Sequence, residues 1–370
     1  MYYHKIYKTL EQKSVMDDIL KAVKGLRLNG TDEEEGGFEI FKRSILEDLR
    51  REEIAVLREL KGHHVNTLRH SMMVARDVYY IGKRMGIKAD KLQDLMIAAM
   101  LHDVGKLDVH EVILDLSDED EIAIWRSLNP GQEPPSNIGL VIKGITLGDV
   151  IKFKSRKSNN PRGYRSDFLV WLRDKGLLSF LKRSVLEYIQ HHQTATGSIL
   201  GEVGVRKEVV DLAVSHHPSY FSKEKRGKLP KECTIMEVAD KFNAIIQSGG
   251  VRRYFAGKTR TEALDIIAFE LRKEFGALRR FSGFGRRALE ILVKRELPPS
   301  VEREIIPRAR GLIKQLEDGA KRRIEEGERM VALIAMTLEL CKKFKRILDN
   351  KTTGILLSTQ GRLKVLLHAR

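Results

Sequence analysis

Hydrophobic residues recur along this chain at the three- and four-residue spacing of amphipathic helices, which predicts its fold class. The clearest example is the segment 38–61, where six apolar positions fall near one helical face. These positions are Phe41, Ile45, Leu49, Ile54, Leu57 and Leu60. A first helical segment is predicted at 10–26, before an acidic, glycine-containing linker at 31–37. The pattern as a whole predicts an all-α protein.

The C-terminal part is also predicted to be mainly helical, with a boundary at Pro298, Pro299 and Pro307. The apolar positions of 308–348 do not keep a clean heptad, so a long coiled coil is not expected. The last twenty residues alternate Ile, Leu and Val with Thr, Ser and Lys. They predict either a small hairpin around Gln360-Gly361 or a segment that docks on the helices.

One apolar run leads directly into residues that can do chemistry. The run 96–101 is followed by His102 and Asp103, and then by Gly105 and Lys106. An imidazole nitrogen and a carboxylate are both metal ligands, and the two oxygens of Asp103 could bridge two ions. Gly105 is expected to let the chain turn sharply. Lys106 would then be placed to attract a phosphate oxygen.

Other candidate ligands have the same setting at or near apolar segments. They are His70, the pair His191-His192, the pair His216-His217, and Asp240. A single histidine in such a place is more often a core residue. Two His-His pairs and one His-Asp pair together favour a metal site. His63 and His64 are interpreted as turn or surface residues.

With these residues in this order, the chain resembles the HD-domain metal-dependent phosphohydrolases, and within them the HD-GYP branch. The matching segments are His70, His102-Asp103-Val104-Gly105-Lys106, His192 ahead of Gly197 and Ile199-Leu200, His216-His217, and Ala239-Asp240-Lys241-Phe242-Asn243-Ala244. The resemblance spans residues 60–295 and is interrupted once. It implies an HD-type helical bundle with extra N-terminal and C-terminal helices and an inserted segment at 115–184.

The resemblance also implies two divalent transition-metal ions, drawn from Fe, Mn, Zn, Ni and Co. The implied ligands are His70, His102, Asp103 and Asp240 for one ion, and Asp103, His192, His216 and His217 for the other. His191 stays a rival of His192, because the register against Gly197 is one residue loose. Asp103 and Lys106 are the candidate catalytic residues. Lys106, Arg252 and Arg253 are the candidate substrate contacts.

Two departures from the family bear on metal number and substrate. Pro218-Ser219-Tyr220-Phe221 follows His217, where the family has a Glu and then a Gly-Tyr-Pro loop tied to cyclic di-GMP hydrolysis. Asn66 stands where some members carry a Glu that helps to hold a third metal, so two ions are expected. The substrate is expected to differ from that of the family members that carry the Gly-Tyr-Pro loop.

The inserted segment carries a basic cluster around Asn159-Asn160-Pro161. Its members are Lys152, Lys154, Arg156, Lys157, Arg162 and Arg165. One interpretation is a solvated loop. The other is a lid over a polyanionic substrate, with Tyr164 or Trp171 available to stack on a base.

Composition limits the remaining alternatives. A chain of 370 residues predicts more than one domain, here 1–60, 61–296 and 297–370. The formal net charge of +16 favours nucleic acid, acidic membranes or phosphorylated substrates as partners, unless it is only a basic surface.

Two widely separated cysteines, Cys233 and Cys341, indicate no disulfide framework and fit a reducing compartment. With no signal pattern and no membrane-length apolar run, a cytoplasmic protein is expected.

The expected function is hydrolysis of a phosphodiester, similar to that of the cyclic di-GMP phosphodiesterases, with a cyclic dinucleotide or another nucleotide as substrate and a metal-bridging hydroxide as nucleophile. One alternative is a degenerate HD domain that binds a nucleotide or a partner for regulation. A second alternative is a single-strand nuclease, which would make nucleic acid the partner. The N-terminal region is interpreted as a cap or a homodimer surface.

Overall fold

The computed structural model describes residues 49–135, 138–217, 229–246, 259–275, 279–318, 323–344 and 347–368. Within these ranges the chain is helical and has no β-strand, apart from one isolated antiparallel bridge between Thr146 and Ser184. The predicted all-α class is therefore confirmed. The helix predicted at 10–26 and the linker predicted at 31–37 lie outside the described residues.

Three helices begin the bundle: α1 (Arg51–His63), α2 (Val65–Met85) and α3 (Ala89–Leu101). The chain bends between α1 and α2 at His64, whose Nδ1 accepts a hydrogen bond from the Thr67 backbone N–H at 3.2 Å and caps α2. Helix α2 ends at Gly86, which has φ 74°, a left-handed conformation that favours glycine. The apolar faces of α1, α2 and α3 pack into one core.

Residues 109–189, which include the insertion predicted at 115–184, are helical and have their own apolar core; we call this segment the insertion. Its helices are α4 (Glu111–Leu114), α5 (Asp118–Leu128), α6 (Ile138–Gly144), α7 (Leu147–Lys157), α8 (Pro161–Asp174) and α9 (Val185–Gln190), with a 3-10 turn at Leu178–Lys182. The Leu147 N–H donates to Arg183 O at 3.1 Å, and the Val185 N–H donates to Ile145 O at 2.9 Å. These bonds close the insertion on itself.

After the insertion the chain returns to the bundle. The helices are α10 (His192–Glu202), α11 (Lys207–Val214), α12 (Cys233–Ile246), α13 (Arg260–Phe275), α14 (Arg279–Ser300), α15 (Ile306–Glu317), α16 (Ile324–Phe344) and α17 (Asn350–His368). Apolar side chains from all eight helices join the core of α1, α2 and α3. None of the described helices is both long enough and apolar enough to cross a membrane.

The C-terminal region differs from one sequence expectation. The hairpin alternative around Gln360-Gly361 is wrong, because 350–368 is the single helix α17, which docks on the bundle as in the other alternative. Its buried residues, Thr352, Leu356, Thr359 and Leu363, have the four-and-three spacing of a helix face.

The three prolines of this region do not interrupt the helical path. Pro298 and Pro299 lie in the last turn of α14. The chain continues through a π-helical turn at Val301–Ile305 into α15, with Pro307 in the first turn of α15. Proline is tolerated in the first turn of a helix, where its missing N–H would have no intrahelical partner.

Candidate metal centre

Three histidines follow the ends of helices and are oriented there in the same way. His102 follows α3, His192 follows α9, and His216 follows α11 closely. Each Nδ1 donates to the carbonyl three residues earlier. His102 donates to Ala99 O at 2.7 Å, His192 to Ile189 O at 2.6 Å, and His216 to Ala213 O at 2.6 Å. A carbonyl oxygen only accepts, so a proton must sit on each Nδ1, and Nε2 is left as the ligand atom. Hydrogen bonds of this kind orient imidazoles around metals.

The Asp103 carboxylate lies between two groups of histidines. Its Oδ2 is 3.4 Å from His102 Nε2 and 3.9 Å from His70 Nε2. Its Oδ1 is 3.4 Å from His192 Nε2. His70, His102 and Asp103 form one group of atoms that could hold a metal ion, and His192, His216 and His217 form another. Each carboxylate oxygen therefore faces a different group, as a bridging ligand would.

Asp240, on α12, connects the same two groups. Its Oδ1 is 2.7 Å from His70 Nε2 and 3.7 Å from His102 Nε2, and its Oδ2 is 3.8 Å from His217 Nδ1. The structure thus brings together all seven residues predicted as ligands from segments up to 170 positions apart. Five of the seven are completely buried, and the other two are nearly so. Their role in metal binding stays a prediction.

The charges in this cluster favour a cation. Burial acts to lower the pKa of His102, but the carboxylates of Asp103 and Asp240 outweigh it and raise this pKa to about 9. The pKa of His216 is held well below its ordinary value by burial and by the neighbouring histidines. A proton or a metal ion is therefore stabilised on the carboxylate side of the cluster, while His216 stays neutral.

The geometry of two imidazoles fits a metal ion. The Nε2 atoms of His192 and His216 are 3.3 Å apart, and in both rings the proton is on Nδ1. Two nitrogen lone pairs at this distance repel each other unless a cation lies between them. The buried Nε2 of His102 also faces acceptor oxygens, at 3.4 Å from Asp103 Oδ2 and 3.7 Å from Asp240 Oδ1. Imidazole nitrogens with a carboxylate bridge suit divalent transition metals better than Ca²⁺.

Gly105 brings α10 close to the His-Asp segment. A Cβ at this position would lie 1.8 Å from His192 O, so only glycine fits. Gly105 lies in the 3-10 turn Val104–Asp108, so the chain turns here as expected, but its φ is not positive and glycine is required by this close approach. The Gly105 N–H donates to Thr196 Oγ1 at 3.0 Å, and Thr196 Oγ1 donates to His102 O at 3.0 Å. Thr196, which sequence reasoning missed, thus joins the two ligand segments.

Lys106 lies inside the centre. Its Nζ donates to Asp103 Oδ2 at 2.6 Å, and the residue is only 4% exposed. Apart from Lys106, only His192 and His217 among the candidate ligands have any exposure, 3% and 7%, so the centre approaches solvent on their side. The other predicted anion contacts, Arg252 and Arg253, lie outside the described residues, as does the segment that follows His217.

His191 is separated from this cluster by its orientation. Its ring centroid lies 5.0 Å from that of Phe180 in the insertion, and burial lowers its pKa. His192 is therefore the member of the pair that joins the candidate ligands.

Trp171, a candidate for stacking on a base, has a partner within the insertion, since its ring contacts that of His110 with centroids 5.0 Å apart.

The basic cluster of the insertion lies mainly on two helices, α7 and α8, rather than on a loop. Lys154 Nζ and Lys157 Nζ contact the carboxylate of Asp120 at 2.6 and 3.2 Å. The other four members, Lys152, Arg156, Arg162 and Arg165, are exposed, as is Lys157. The net positive charge of this face is thus smaller than the sequence suggested, because the Asp120 carboxylate offsets one of the two lysine charges that it contacts.

A buried network behind the His70–Asp240 pair was also missed. Asp77 Oδ1 accepts from Arg76 at 2.7 Å and from Arg295 at 3.0 Å, and Asp77 Oδ2 accepts from Asn243 Nδ2 at 2.9 Å. Burial acts to raise the pKa of Asp77, but the two arginines lower it to about 2. The sequence signal that could have identified Asp77 was its position seven residues after His70, on the same face of an amphipathic helix.

Residues 67–129 match the family model described as HD domain. The matched stretch includes His70, His102, Asp103 and Lys106 and ends before His192. The match supports the HD superfamily, whose members are generally metal-dependent phosphohydrolases. Comparison with curated proteins and with solved structures gives no match.

Proposed function

We propose that this chain is a metal-dependent phosphohydrolase that holds two divalent transition-metal ions and hydrolyses a phosphodiester. The observation that carries the proposal is the position of Asp103, whose two oxygens face two separate groups of histidines. His70, His102 and Asp240 would complete the shell of one ion. His192, His216 and His217 would complete the shell of the other.

The chemistry divides between the ions and the protein. When bound, two ions neutralise phosphate charge and supply a hydroxide near neutral pH. The chain holds Asp103 between the two histidine groups and fixes three imidazoles through carbonyls at helix ends. Burial of the ligands excludes bulk water and strengthens electrostatic interactions. Lys106, which bonds Asp103, adds positive charge for a phosphate oxygen beside the candidate bridge.

The proposed substrate class is a cyclic dinucleotide or another nucleotide. The resemblance to the HD-GYP branch points to cyclic dinucleotides, and the missing Gly-Tyr-Pro segment favours a substrate other than cyclic di-GMP. A single-strand nuclease is a second candidate, favoured by the four exposed members of the basic cluster on α7 and α8 that do not contact Asp120. Such residues would contact a phosphate backbone.

The regulatory alternative is a domain that binds a nucleotide or partner without turnover. A degenerate site would be expected to lack ligand-type residues. All seven candidate positions keep them, and they lie together in one buried cluster. The complete set of ligand-type residues therefore favours an enzyme over a domain that binds without turnover.

One experiment separates these functions. Metal content is measured on anaerobically purified protein, and the same preparation is incubated with cyclic dinucleotides, linear dinucleotides and short oligonucleotides. Two ions per chain with turnover of one class supports the proposal and names the substrate. Two ions with nucleotide binding and no turnover identifies the regulatory alternative. One ion or none, with iron and manganese preserved, contradicts the binuclear centre.

A further inference from the structure

Two of the ligand-bearing helices are joined at a second point beyond the centre. Helix α2 carries His70 and Asp77 seven residues apart, about two turns, so both side chains face the same way. Helix α12 carries Asp240 and Asn243 one turn apart. His70 Nε2 and Asp240 Oδ1 are 2.7 Å apart, and Asn243 Nδ2 donates to Asp77 Oδ2 at 2.9 Å. The candidate ligand pair and the second pair therefore connect the same two helices.

The amide of Asn243 makes two contacts. Besides Asp77, it donates to Ala239 O at 2.9 Å, and Ala239 immediately precedes Asp240. Asn243 is completely buried, as is Asp77. A shift of α12 relative to α2 that moved the Asp240 carboxylate would also disturb the Asn243–Asp77 hydrogen bond. The amide thus links the backbone beside one candidate ligand to the helix that carries another.

The other side of Asp77 is held from α14. Arg295 Nη1 is 3.0 Å from Asp77 Oδ1, and Arg295 Nε donates to Glu296 Oε1 at 2.6 Å. Glu296 in turn pairs with Arg260 from α13. The network therefore spans four helices, and its bonds fix the lateral position of Asp77.

Stability alone does not account for such a network. Buried ion pairs are often matched or exceeded in stability by apolar side chains of the same volume, because both charges must leave water. What directional hydrogen bonds add is a defined distance between the groups that they join. In this chain the groups so joined lie one or two turns from His70 and Asp240.

We propose that Asp77, Asn243 and Arg295 are positioning residues that set the separation of α2 and α12, and thereby the geometry of the His70–Asp240 ligand pair. The inference rests on the proposed metal function. None of the three is a candidate ligand. Their effect is exerted through the helices that carry His70 and Asp240.

The test measures metal affinity rather than turnover. Asn243→Leu removes the amide at similar volume, and the protein is loaded with Co²⁺ and titrated with a competing chelator. We expect one of the two ions to bind about 10- to 100-fold more weakly, the loss typical of groups that support metal ligands. The visible spectrum of Co²⁺ should change for that ion and stay constant for the other.

A matched control separates positioning from general loosening. Val78 is buried on α2 beside Asp77 and is apolar, so Val78→Ala lowers stability without touching the network. Unchanged Co²⁺ affinity in Val78→Ala, with weakened affinity in Asn243→Leu, supports the proposal. Equal weakening in both variants at equal loss of thermal stability overturns it.

A second variant tests the network independently from α2. Asp77→Asn keeps the shape of the side chain and removes its charge, while Arg295 keeps its contact with Glu296, and it should weaken the same ion. Wild-type affinity and spectrum in Asp77→Asn, or in folded Asn243→Leu, would overturn the inference while leaving the binuclear centre in place. A wild-type chain that binds no metal would instead contradict the proposed function.

Discussion

The bundle and the insertion are built from the same kind of amphipathic helix, but they differ in what they bury. The bundle encloses ionisable side chains at zero exposure, among them His70, Asp77, His102, Asp103, His216 and Asp240. In the described part of the insertion, the buried residues are almost all apolar, with Glu121 and Ser155 as polar exceptions. Burying a charge costs free energy unless it is paired, so the bundle carries at several residues a cost that the described part of the insertion carries only at Glu121.

This difference indicates which of the two regions can be substituted without loss of function. The insertion has the ordinary division of apolar inside and charged outside, which stability alone explains. The bundle departs from that division most strongly around the candidate ligands, and such departures are expected at functional sites. We therefore expect the chemistry to depend on the bundle and to be tuned, at most, by the insertion.

The largest expected effect is that of Asp103→Ala. Removing the carboxylate that faces both histidine groups should abolish binding of at least one ion and lower kcat/KM on the order of 10³-fold or more. The comparison variant is Asn66→Ala, at a half-buried position that the family resemblance identifies only as an optional third-metal position. Metal analysis and initial rates on both proteins check this. Similar losses in the two variants would contradict the bridging assignment.

The next effect concerns the independence of the insertion. Leu172 is completely buried in the core of the insertion, so Leu172→Ala should cost about 2–5 kcal/mol of stability there. Hydrogen exchange should show faster exchange in α7 and α8, with the metal content unchanged. Loss of metal ions in Leu172→Ala would show that the insertion and the bundle unfold as one cooperative unit. That result would contradict the independence of the insertion.

A smaller effect is expected at the contact between α10 and the His-Asp segment. Gly105→Ala places a methyl group against His192 O, which should cost about 1–3 kcal/mol and displace His192. Gly201, in the same helix as His192, has open space around its Cα, so Gly201→Ala should be neutral or slightly stabilising. Thermal unfolding and chelator competition compare the two. Tight metal binding in Gly105→Ala would show that the close approach is not needed.

The smallest effect is expected from the basic face. Replacing Lys152, Arg156, Arg162 and Arg165 with Gln should raise KM a few-fold for a substrate with several phosphates, because each exposed charge contributes only weakly and is screened by salt. A small chromogenic phosphodiester should be turned over as before. The salt dependence of KM for the larger substrate should flatten. Equal kinetics for both substrates at every salt concentration would exclude the insertion from substrate binding.

The helical class and the candidate ligands could be read from the chain because both signals are local. An apolar run that ends in His102-Asp103 indicates a helix end with ligand-type groups, and the structure has a helix that stops there. The order of the family motif then predicted which distant segments meet. The His191–His192 ambiguity needed the structure, since adjacent residues differ only in orientation.

Other features depend on contacts that no local pattern records. Asp77 and Asn243 meet across 166 positions, and neither has a sequence signal that names its partner. Gly105 was assigned a turn because glycine commonly serves turns, whereas here the limit is the backbone of another helix. The last twenty residues alternate locally, but the buried positions of α17 follow helix spacing.

The helix-end histidines have one further consequence, for the order in which ligands bind. Helices α3 and α11 both end at the centre, and a helix C-terminus carries roughly half a negative charge. Together with Asp103 and Asp240 they offset the positive charge of Lys106 and of a protonated His102 in the metal-free centre. Phosphate is therefore expected to bind more weakly before the cations than after them, which equilibrium dialysis of metal-free and metal-loaded protein would measure. Metal occupancy would then promote substrate entry as well as chemistry.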